Sequence, residues 1–267
     1  MQGKLVPAET RGPGPRVFIT GASSGIGAAL AAHYAARGAQ LGLVARRRDA
    51  LAEVARGLPG APALYTADVA DAKAMAAAAE DFMARFGLPD IVVANAGVSV
   101  GTLTEHPEDV AVFERVMRTN VVGLAATFQP FVAPMRAARR GRLVGIASVA
   151  GMRGLPGAGA YSASKAAAIT YLEALRIELR PSGVKVVTVC PGYVATPMTA
   201  VNRYRMPFIL PADVAARRIS RVIDAGRAYA VVPWQMALVA RTMKLLPNAV
   251  FDRLFKRAGR KPRGLKL

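Results

Sequence analysis

Short apolar runs alternate with longer amphipathic stretches from Arg16 to Val232. The runs are continuously apolar, which is typical of parallel strands covered on both faces. We predict strands at 16–20, 40–45, 63–66, 90–94, 142–147, 185–190 and 229–232. We predict helices from about 27 to 37, and at 48–56, 71–86, 109–138, 160–179 and 211–225. The stretch 109–138 is expected to break near Asn120 and at Pro130 and Pro134, because proline removes a helical hydrogen bond.

The alternation of strands and helices predicts right-handed crossovers and a single-domain, doubly wound α/β fold with a parallel sheet and helices on both faces. We place the domain at 16–233, after a flexible lead-in at 1–15. A substrate lid is expected near 197–211, and a basic amphipathic extension at 234–267. In such a fold the ligand lies beyond the carboxyl ends of the strands.

The composition narrows the choice of partners and compartment. The 267 residues are 53% hydrophobic and carry a net charge of +19, which favours anionic partners such as nucleic acid, acidic lipid or phosphorylated cofactors. The single cysteine, Cys190, excludes a disulfide framework, indicates a reducing compartment and is predicted to be buried. We expect no signal peptide, and the longest apolar run, 228–240, is too short to span a bilayer.

A glycine-rich turn joins the first predicted strand to the first helix, with the sequence Gly21-Ala-Ser23-Ser24-Gly25-Ile26-Gly27. Backbone N–H groups and the helix dipole point at an anion in such a turn. The glycines permit a tight turn and close approach of a phosphate. This strand–turn–helix context predicts a nucleotide site.

Three arginines, Arg46, Arg47 and Arg48, follow the second predicted strand, about twenty residues further on. A site for NAD carries an acidic residue there, which hydrogen-bonds the ribose hydroxyls, whereas arginine binds a 2′-phosphate. We therefore expect NADP(H) in preference to NAD(H), with Arg46 as the main contact and Arg47 as the second. The alternative is that these arginines are only the solvated start of a helix.

A hydroxyl, a phenol and an amine follow one another at Ser148, Tyr161 and Lys165. The sequence from Tyr161 onward is helical, so Tyr161 and Lys165 lie one turn apart on the same face. A phenol titrates near ~10, and a neighbouring ammonium group favours the phenolate and lowers that pKa. We therefore expect Tyr161 to act as an acid or base near neutral pH.

Together these residues resemble the motifs of the short-chain dehydrogenase/reductase family. The motifs are Thr20-Gly-x-x-x-Gly-x-Gly27, Asp68-Val69, Asn95-Ala96-Gly97, Asn120, Ser148, Tyr161-x-x-x-Lys165 and Pro191-Gly192-x-Val194-x-Thr196. They span 20–196 in the family's order and approximate spacing. The resemblance implies a Rossmann-type sheet and an enzyme that transfers a hydride between NADP(H) and a carbonyl or secondary alcohol.

The resemblance also implies a role for each residue. Asp68 and Val69 would hold the adenine, while Asn95, Ala96 and Gly97 pass beside the cofactor ribose. The nicotinamide would be surrounded by Pro191, Gly192, Val194 and Thr196. Tyr161 would exchange a proton with the substrate oxygen, and Ser148 would donate a hydrogen bond to it. Lys165 would bind the nicotinamide ribose, and Asn120 would break its helix and hold a water beside Lys165.

The substrate residues are predicted from apolar positions. An apolar wall is expected from Met152, Leu155, Tyr193, Met206 and Phe208, which suits an apolar ketone such as a lipid, steroid or aromatic. Apolar residues in a lid also pack against the core whatever the enzyme binds. Arg203 and Arg205 would instead suit an anionic acyl carrier. The sequence leaves this choice open.

The extension at 234–267 predicts two helices, which begin at Trp234 and Asn248. In the second, Phe251, Leu254 and Phe255 share one face with Ala258, among many basic residues. The extension is interpreted as a contact with an anionic membrane, an oligomer arm or a solvated tail.

Two classes of function remain on these observations. The first is an NADP(H)-dependent oxidoreductase, and the second is a non-catalytic protein that senses NADP(H) or binds anions or nucleic acid. The complete set of Ser148, Tyr161 and Lys165 argues for the enzyme, because binding needs no proton donor. We expect no metal site, no nucleic-acid partner, a homodimer or homotetramer built on the long helices, and a location in the cytoplasm or at the inner membrane surface. The physiological substrate, reaction direction and subunit count stay open.

Overall fold

Seven parallel strands form one central sheet with helices on both faces. The structure is a computed structural model that describes residues 14–256 and 258–265, so most of the predicted lead-in at 1–15 lies outside the described residues. The strands of the sheet are β1 Arg16–Thr20, β2 Gln40–Ala45, β3 Ala63–Thr66, β4 Ile91–Ala94, β5 Arg142–Ile146, β6 Lys185–Pro191 and β9 Tyr229–Val232. A separate two-stranded ribbon consists of β7 Val194–Ala195 and β8 Leu210–Pro211. The predicted single-domain α/β fold is confirmed.

The helices connect these strands in alternation. They are α1 Gly25–Ala35, α2 Arg48–Arg56, α3 Ala72–Phe86, α4 Asp109–Met117, α5 Gly123–Ala138, α6 Gly159–Leu179, α7 Pro197–Ala200, α8 Ala212–Asp224, α9 Trp234–Leu245 and α10 Asn248–Phe255. A π-helical segment, Arg118–Val122, joins α4 to α5, and one turn of 3₁₀-helix, Val149–Gly151, follows β5.

The strand order β3-β2-β1-β4-β5-β6-β9 places the chain reversal beside β1. β1 pairs with β2 on one side and with β4 on the other, so the connections after β1 and after β4 run to opposite sides of the sheet. A crevice opens between such connections, at the carboxyl ends of the strands. The strand order therefore locates the ligand site at the ends of β1 and β4.

Each face of the sheet has its own hydrophobic core. Phe18 of β1 points to one face, where its ring lies 5.4 Å from Phe82 of α3 and 5.1 Å from Phe131 of α5. The next residue, Ile19, points to the other face and packs in the same cluster as Leu30 of α1. All five side chains are buried. This alternation holds α1 on one face and α3 and α5 on the other.

The predicted breaks at Pro130 and Pro134 are wrong, because α5 continues through both prolines. The helix buries Phe128, Phe131 and Met135. This packing offsets the hydrogen bonds that the prolines remove. The predicted irregularity near Asn120 is present as the π-helical segment between α4 and α5.

The C-terminal helices pack against the domain. Met236 and Met243 of α9 and Phe251 of α10 lie in an apolar cluster with Val149, which directly follows Ser148. Phe251 is buried and Phe255 is partly buried against the protein, so most of the apolar face predicted for the second helix of the extension is covered. Leu254 remains 63% exposed. No helix in the described ranges is both long and apolar enough to cross a bilayer.

Candidate active site

A cavity of about 830 Å³ opens at the carboxyl ends of the central strands. Nearly all predicted cofactor and catalytic residues line it. They are Gly21, Ser23, Ser24, Gly25, Ile26, Arg46, Arg47, Asp68, Val69, Asn95, Ala96, Gly97, Ser148, Tyr161, Lys165, Pro191, Gly192, Val194 and Thr196. Gly27 and Asn120 stand behind this lining. Residues more than 170 positions apart in the chain thus meet at one site.

The glycine turn brings backbone N–H groups to the cavity at the start of α1. Ser24 precedes the helix in an extended conformation, and its side chain makes no cap hydrogen bond to any described residue. Gly21 adopts φ 67°, and a Cβ there would stand 2.7 Å from the Cα of Ala96. A Cβ at Gly27 would overlap the carbonyl of Gly21. The helix therefore presents uncapped donors to an anion in the cavity.

Asn95 ties the end of β4 to this turn. Its Nδ2 donates to the carbonyl oxygens of Thr20 and Gly21, at 3.0 and 3.2 Å. The Thr20 hydroxyl in turn accepts from the backbone N–H groups of Asn95 and Ala96. These bonds hold the backbone at the floor of the cavity in one arrangement.

Arg46 and Arg47 lie at the carboxyl end of β2, where both are exposed and line the cavity. Neither forms an ion pair within the part of the chain that the structure describes. Asp68 lies at the same end of the cavity, and one of its carboxylate oxygens accepts from Ala70 N at 2.9 Å. The guanidinium groups are thus placed to meet an anion that enters from this side.

Tyr161 and Lys165 lie on the first turns of α6. Lys165 is buried and donates from Nζ to the carbonyl oxygen of Ile146, the last residue of β5, at 2.8 Å. The same Nζ lies 5.8 Å from the centroid of the Tyr161 ring. Ser148, two residues after β5, accepts from Ala150 N at 3.1 Å through its Oγ. The strand end therefore fixes both the amine and the hydroxyl beside the phenol.

Burial decides the protonation of this pair. It raises the pKa of the Tyr161 phenol, and a hydrogen bond with Ser148 only partly opposes that rise. Burial also lowers the pKa of the Lys165 amine to about 8. The expectation that Lys165 lowers the pKa of Tyr161 is therefore corrected for the protein alone, because burial disfavours both charged forms.

Asn120 lies behind the catalytic residues, in the π-helical segment. Its Nδ2 donates to the Val98 carbonyl at 3.0 Å and to the Ser164 hydroxyl at 2.9 Å, and its Oδ1 accepts from Val98 N. A Cβ at Gly97 would stand 3.3 Å from Asn120 Oδ1 and 3.5 Å from Lys165 Nζ. The bare glycine thus leaves a small space that both polar atoms face.

A model of the short chain dehydrogenase family matches residues 15–206. The chain belongs to this family. It is therefore an oxidoreductase of a family that uses nicotinamide cofactors and acts on CH–OH and C=O groups, as the motifs predicted.

Several curated proteins are similar along most of their length. The chain is 39% identical over 245 residues to an uncharacterized oxidoreductase of Myxococcus xanthus, covering 90% of this chain and 96% of that protein. It is 35% identical over 246 residues to 11-beta-hydroxysteroid dehydrogenase-like 2 of Arabidopsis thaliana, covering 89% and 79%. It is 35% identical over 205 residues to cis-4-hydroxycyclohexanecarboxylate dehydrogenase of Sinomonas cyclohexanicum, covering 76% and 79%.

Solved structures share the fold. The chain superimposes with a TM-score of 0.73 on a crystal structure described as ribose-5-phosphate isomerase from Brucella melitensis 16M. The two are 32% identical, and the match covers 82% of this chain and 89% of the other.

The predicted substrate wall of this short-chain dehydrogenase is corrected, because its five residues do not line the cavity. Met152 and Leu155 pack against the C-terminal helices, where burying them removes apolar surface from water. Tyr193 stacks edge-on with the Tyr204 ring, Met206 accepts from Asn202, and Phe208 is half exposed. The apolar lining comes instead from Val98, Val100, Met198, Val201 and Leu265.

Leu265 belongs to residues 258–265, which we call the strap and which reach the cavity at Leu265. Lys261 is buried and donates to the Met198 carbonyl at 2.8 Å. The Pro262 carbonyl accepts from Gly101 N at 3.0 Å. Arg263 donates to Asp109 at 2.8 Å. This wall was not predicted, because the basic residues of the strap are equally typical of a solvated or lipid-binding tail.

Arg153 fastens the C-terminal helices to the loop between Ser148 and Tyr161. Its Nη1 donates to the carbonyl oxygens of Met243 and Leu246, each at 2.6 Å, and its Nη2 donates to Asn248 at 2.7 Å. Its guanidinium carbon lies 4.0 Å from the centre of the Phe251 ring. One side chain thereby satisfies carbonyls at the end of α9 and holds the start of α10.

We expect Arg153→Met to lower the free energy of unfolding by about 2–3 kcal/mol, because it removes charge-assisted hydrogen bonds and leaves carbonyls unpaired. Chemical denaturation of the variant and the wild type measures this change. Arg227→Met, which removes an exposed guanidinium, is the matched control and should change stability by less than about 0.5 kcal/mol. Equal stability of the two variants would contradict the fastening role.

Proposed function

We propose that this protein is an NADP(H)-dependent oxidoreductase that transfers a hydride between the nicotinamide and the carbonyl or secondary alcohol of an apolar or acyl-type substrate. One observation carries the proposal: Ser148, Tyr161 and Lys165 line the same cavity as the glycine turn. The cavity thus combines a proton donor with an anion cradle. A protein that only senses NADP(H), or only binds anions, has no use for this combination.

The residues around the cavity fit a nicotinamide dinucleotide. The start of α1 offers uncapped N–H groups to a pyrophosphate, and glycines stand where a Cβ would collide with the backbone. Asp68 and Val69 would hold the adenine at one end. Pro191 and Thr196 would border the nicotinamide at the other, beside Tyr161. When bound, the cofactor supplies or accepts the hydride.

The chain's own residues act on the substrate oxygen. The raised pKa of Tyr161 keeps the phenol protonated at neutral pH, so it can donate its proton to that oxygen. The Ser148 Oγ accepts from Ala150 N, which leaves its hydrogen for the same oxygen and stabilises developing charge there. Lys165 would hold the ribose. A water between Asn120 Oδ1 and Lys165 Nζ would return a proton.

The proposed preference for NADP(H) rests on Arg46 and Arg47. Both line the cavity at the end of β2, where their positive charge favours binding of the 2′-phosphate that distinguishes NADP(H) from NAD(H). An NAD-specific site has an acidic residue at this position. Arg46 directly follows β2 and is proposed as the main contact.

The proposed substrate is an apolar ketone or secondary alcohol, and a cyclic one fits the relatives. Proteins similar to this chain are named for hydroxysteroids and for a hydroxycyclohexanecarboxylate. The cavity offers matching apolar contacts from Val98, Val100, Met198, Val201 and Leu265. Arg203 and Arg205 are exposed and do not line it, so the acyl-carrier alternative has less support than the apolar ketone.

We also propose that the protein is a homodimer or homotetramer built on its long helices. Large apolar side chains are exposed there: Val110 at 67% and Phe113 at 41% on α4, and Ile177 at 60% on α6. α4 packs against α6, so these residues belong to one side of the molecule. The proposed location is the cytoplasm, where Cys190, which is buried, stays reduced.

Replacing Tyr161 with Phe removes one oxygen and tests the chemistry. We expect Tyr161→Phe to retain the fold and NADPH binding but to lower turnover by at least ~100-fold, because the general acid is lost. Oxidation of NADPH with a panel of cyclic ketones measures turnover, and NADPH binding is measured separately. Turnover near the wild-type rate would refute the assignment.

Arg46→Asp tests the cofactor. We expect the KM for NADPH to rise about 100-fold, because a charge-assisted contact with the phosphate becomes repulsion, and the KM for NADH to change less than about threefold. Steady-state kinetics with each cofactor measure both. Arg48→Asp, at the first residue of α2 and outside the cavity lining, is the matched control. A wild-type enzyme that uses NADH as well as NADPH would contradict the preference.

Leu265→Ala tests the apolar wall of the strap. We expect the KM for a bulky cyclic ketone to rise about 10-fold, since buried apolar contacts with the substrate are lost, with little change in the KM for NADPH. Leu254→Ala removes the same groups from an exposed position on α10 and is the control. If both variants behave as the wild type does, the strap does not form the substrate wall.

A further inference from the structure

The two faces of α9 differ sharply in what they contact. Met236, Ala240 and Met243 are buried on the inner face. On the opposite face, which we call the outer stripe, Trp234 is 66% exposed, Leu238 is 55% and Leu245 is 82%. These three positions recur at helical spacing along one line of the helix. The outer stripe therefore extends about 18 Å along the helix.

Basic side chains accompany the outer stripe. Arg241 lies in the stripe itself, between Leu238 and Leu245, and Lys244 adjoins it; both are exposed. Arg253 of α10 and Lys256, which directly follows α10, are exposed as well, and Asp252 is the acidic residue of the two helices. Trp and Leu set among Arg and Lys form the pattern of a helix that lies in the interface of an anionic bilayer.

The basic residues of the C-terminal region divide into two groups by their contacts. Lys261 is bound to the Met198 carbonyl, and Arg263 is paired with Asp109 and Glu108. These two strap residues hold the strap in place. Arg241 and Lys244 form no ion pair with a described residue. Arg263 is thus neutralised by acidic partners, whereas the positive charge of Arg241 and Lys244 is retained next to the outer stripe.

We propose that the outer stripe of α9 is a docking surface for an anionic lipid bilayer. A second copy of the chain is the other possible occupant of an apolar stripe. Lysine and arginine around the stripe oppose it, because two like-charged surfaces would meet across a symmetric contact. The less basic apolar side of α4 and α6 is better suited to a second copy. Anionic headgroups complement Arg241 and Lys244 directly.

The surface is preformed, so docking requires no unfolding. Arg153 and the packing of Met236 hold α9 against the domain, and a Cβ at Gly192 would collide with Met236. Gly192 also lines the cavity. A bilayer on the outer stripe would therefore lie about one helix diameter, ~10 Å, from the wall of the cavity. This proposal concerns a surface and does not depend on which substrate the enzyme uses.

Trp234 is the single tryptophan of the chain, so its fluorescence reports on the outer stripe alone. We expect its emission to shift to the blue when the full-length protein meets vesicles of phosphatidylcholine mixed with phosphatidylglycerol at low salt. Vesicles of phosphatidylcholine alone should give little shift. High salt should reverse the shift, because it screens surface charge. Cosedimentation with the same vesicles gives the partition constant.

Paired variants separate the apolar and the charged contributions. Arg241→Gln with Lys244→Gln should weaken binding to the anionic vesicles about 30-fold, which is about 2 kcal/mol at 1.4 kcal/mol per tenfold. Lys185→Gln with Arg227→Gln removes the same charge from exposed positions elsewhere and should weaken it less than about threefold.

Leu238→Asp should weaken vesicle binding at least ~10-fold, because an inserted leucine is replaced by a charge. Leu64→Asp, at an exposed leucine on β3, is its control and should leave binding unchanged. Turnover with a soluble ketone should be the same in all of these variants, so a loss of vesicle binding cannot come from unfolding.

Three results would overturn the proposal. An unchanged Trp234 emission with anionic vesicles at low salt would show that the stripe does not meet lipid. Equal binding to neutral vesicles would show that anionic charge plays no part. A blue shift that grows with protein concentration in the absence of vesicles would assign the stripe to a second copy of the chain. None of these results depends on catalysis, so the oxidoreductase proposal stands or falls separately.

Discussion

The common direction of the seven strands is the constraint on which the rest of the structure depends. In a parallel sheet every strand ends at the same edge, so whatever follows each strand meets there. The glycine turn after β1, Asn95 after β4, Ser148 after β5 and Pro191 at the end of β6 thereby share one cavity. The topology assembles them into a site, and the reversal beside β1 leaves room for a ligand.

A second constraint is the burial of Lys165. A buried ammonium group is unfavourable unless its hydrogens are bonded, and the Ile146 carbonyl supplies one partner. The same burial keeps the neighbouring phenol of Tyr161 neutral, so the resting site holds a proton that it can give away. Proton donation to a carbonyl needs this form, whereas oxidation of an alcohol needs the phenolate.

The sequence predicted the features that local chemistry determines. Every strand of the sheet, the turn at Gly21 and the irregularity at Asn120 follow from short-range patterns, and they are present. The continuity of α5 through Pro130 was not predictable, because the aromatic packing that offsets the lost hydrogen bonds comes from distant elements. The prediction of the substrate wall was wrong for the same reason. Apolar residues such as Met152 find partners on α9, and only the path of the chain after α10 brings Leu265 to the cavity.

The C-terminal region shows why charge composition alone could not separate its roles. The sequence presents one basic, partly apolar segment, which suits a tail, an interface or a membrane contact equally well. In the structure, some residues of this segment face the domain and others face outward. Inward-facing residues such as Met243 and Phe251 complete an apolar cluster, and Arg263 forms an ion pair with Asp109. What remains outward is Trp234 with its neighbours on α9, where apolar and positive groups coincide. Exposed apolar and positive groups side by side match the acyl chains and the anionic headgroups of a bilayer, which is the occupant proposed for this surface.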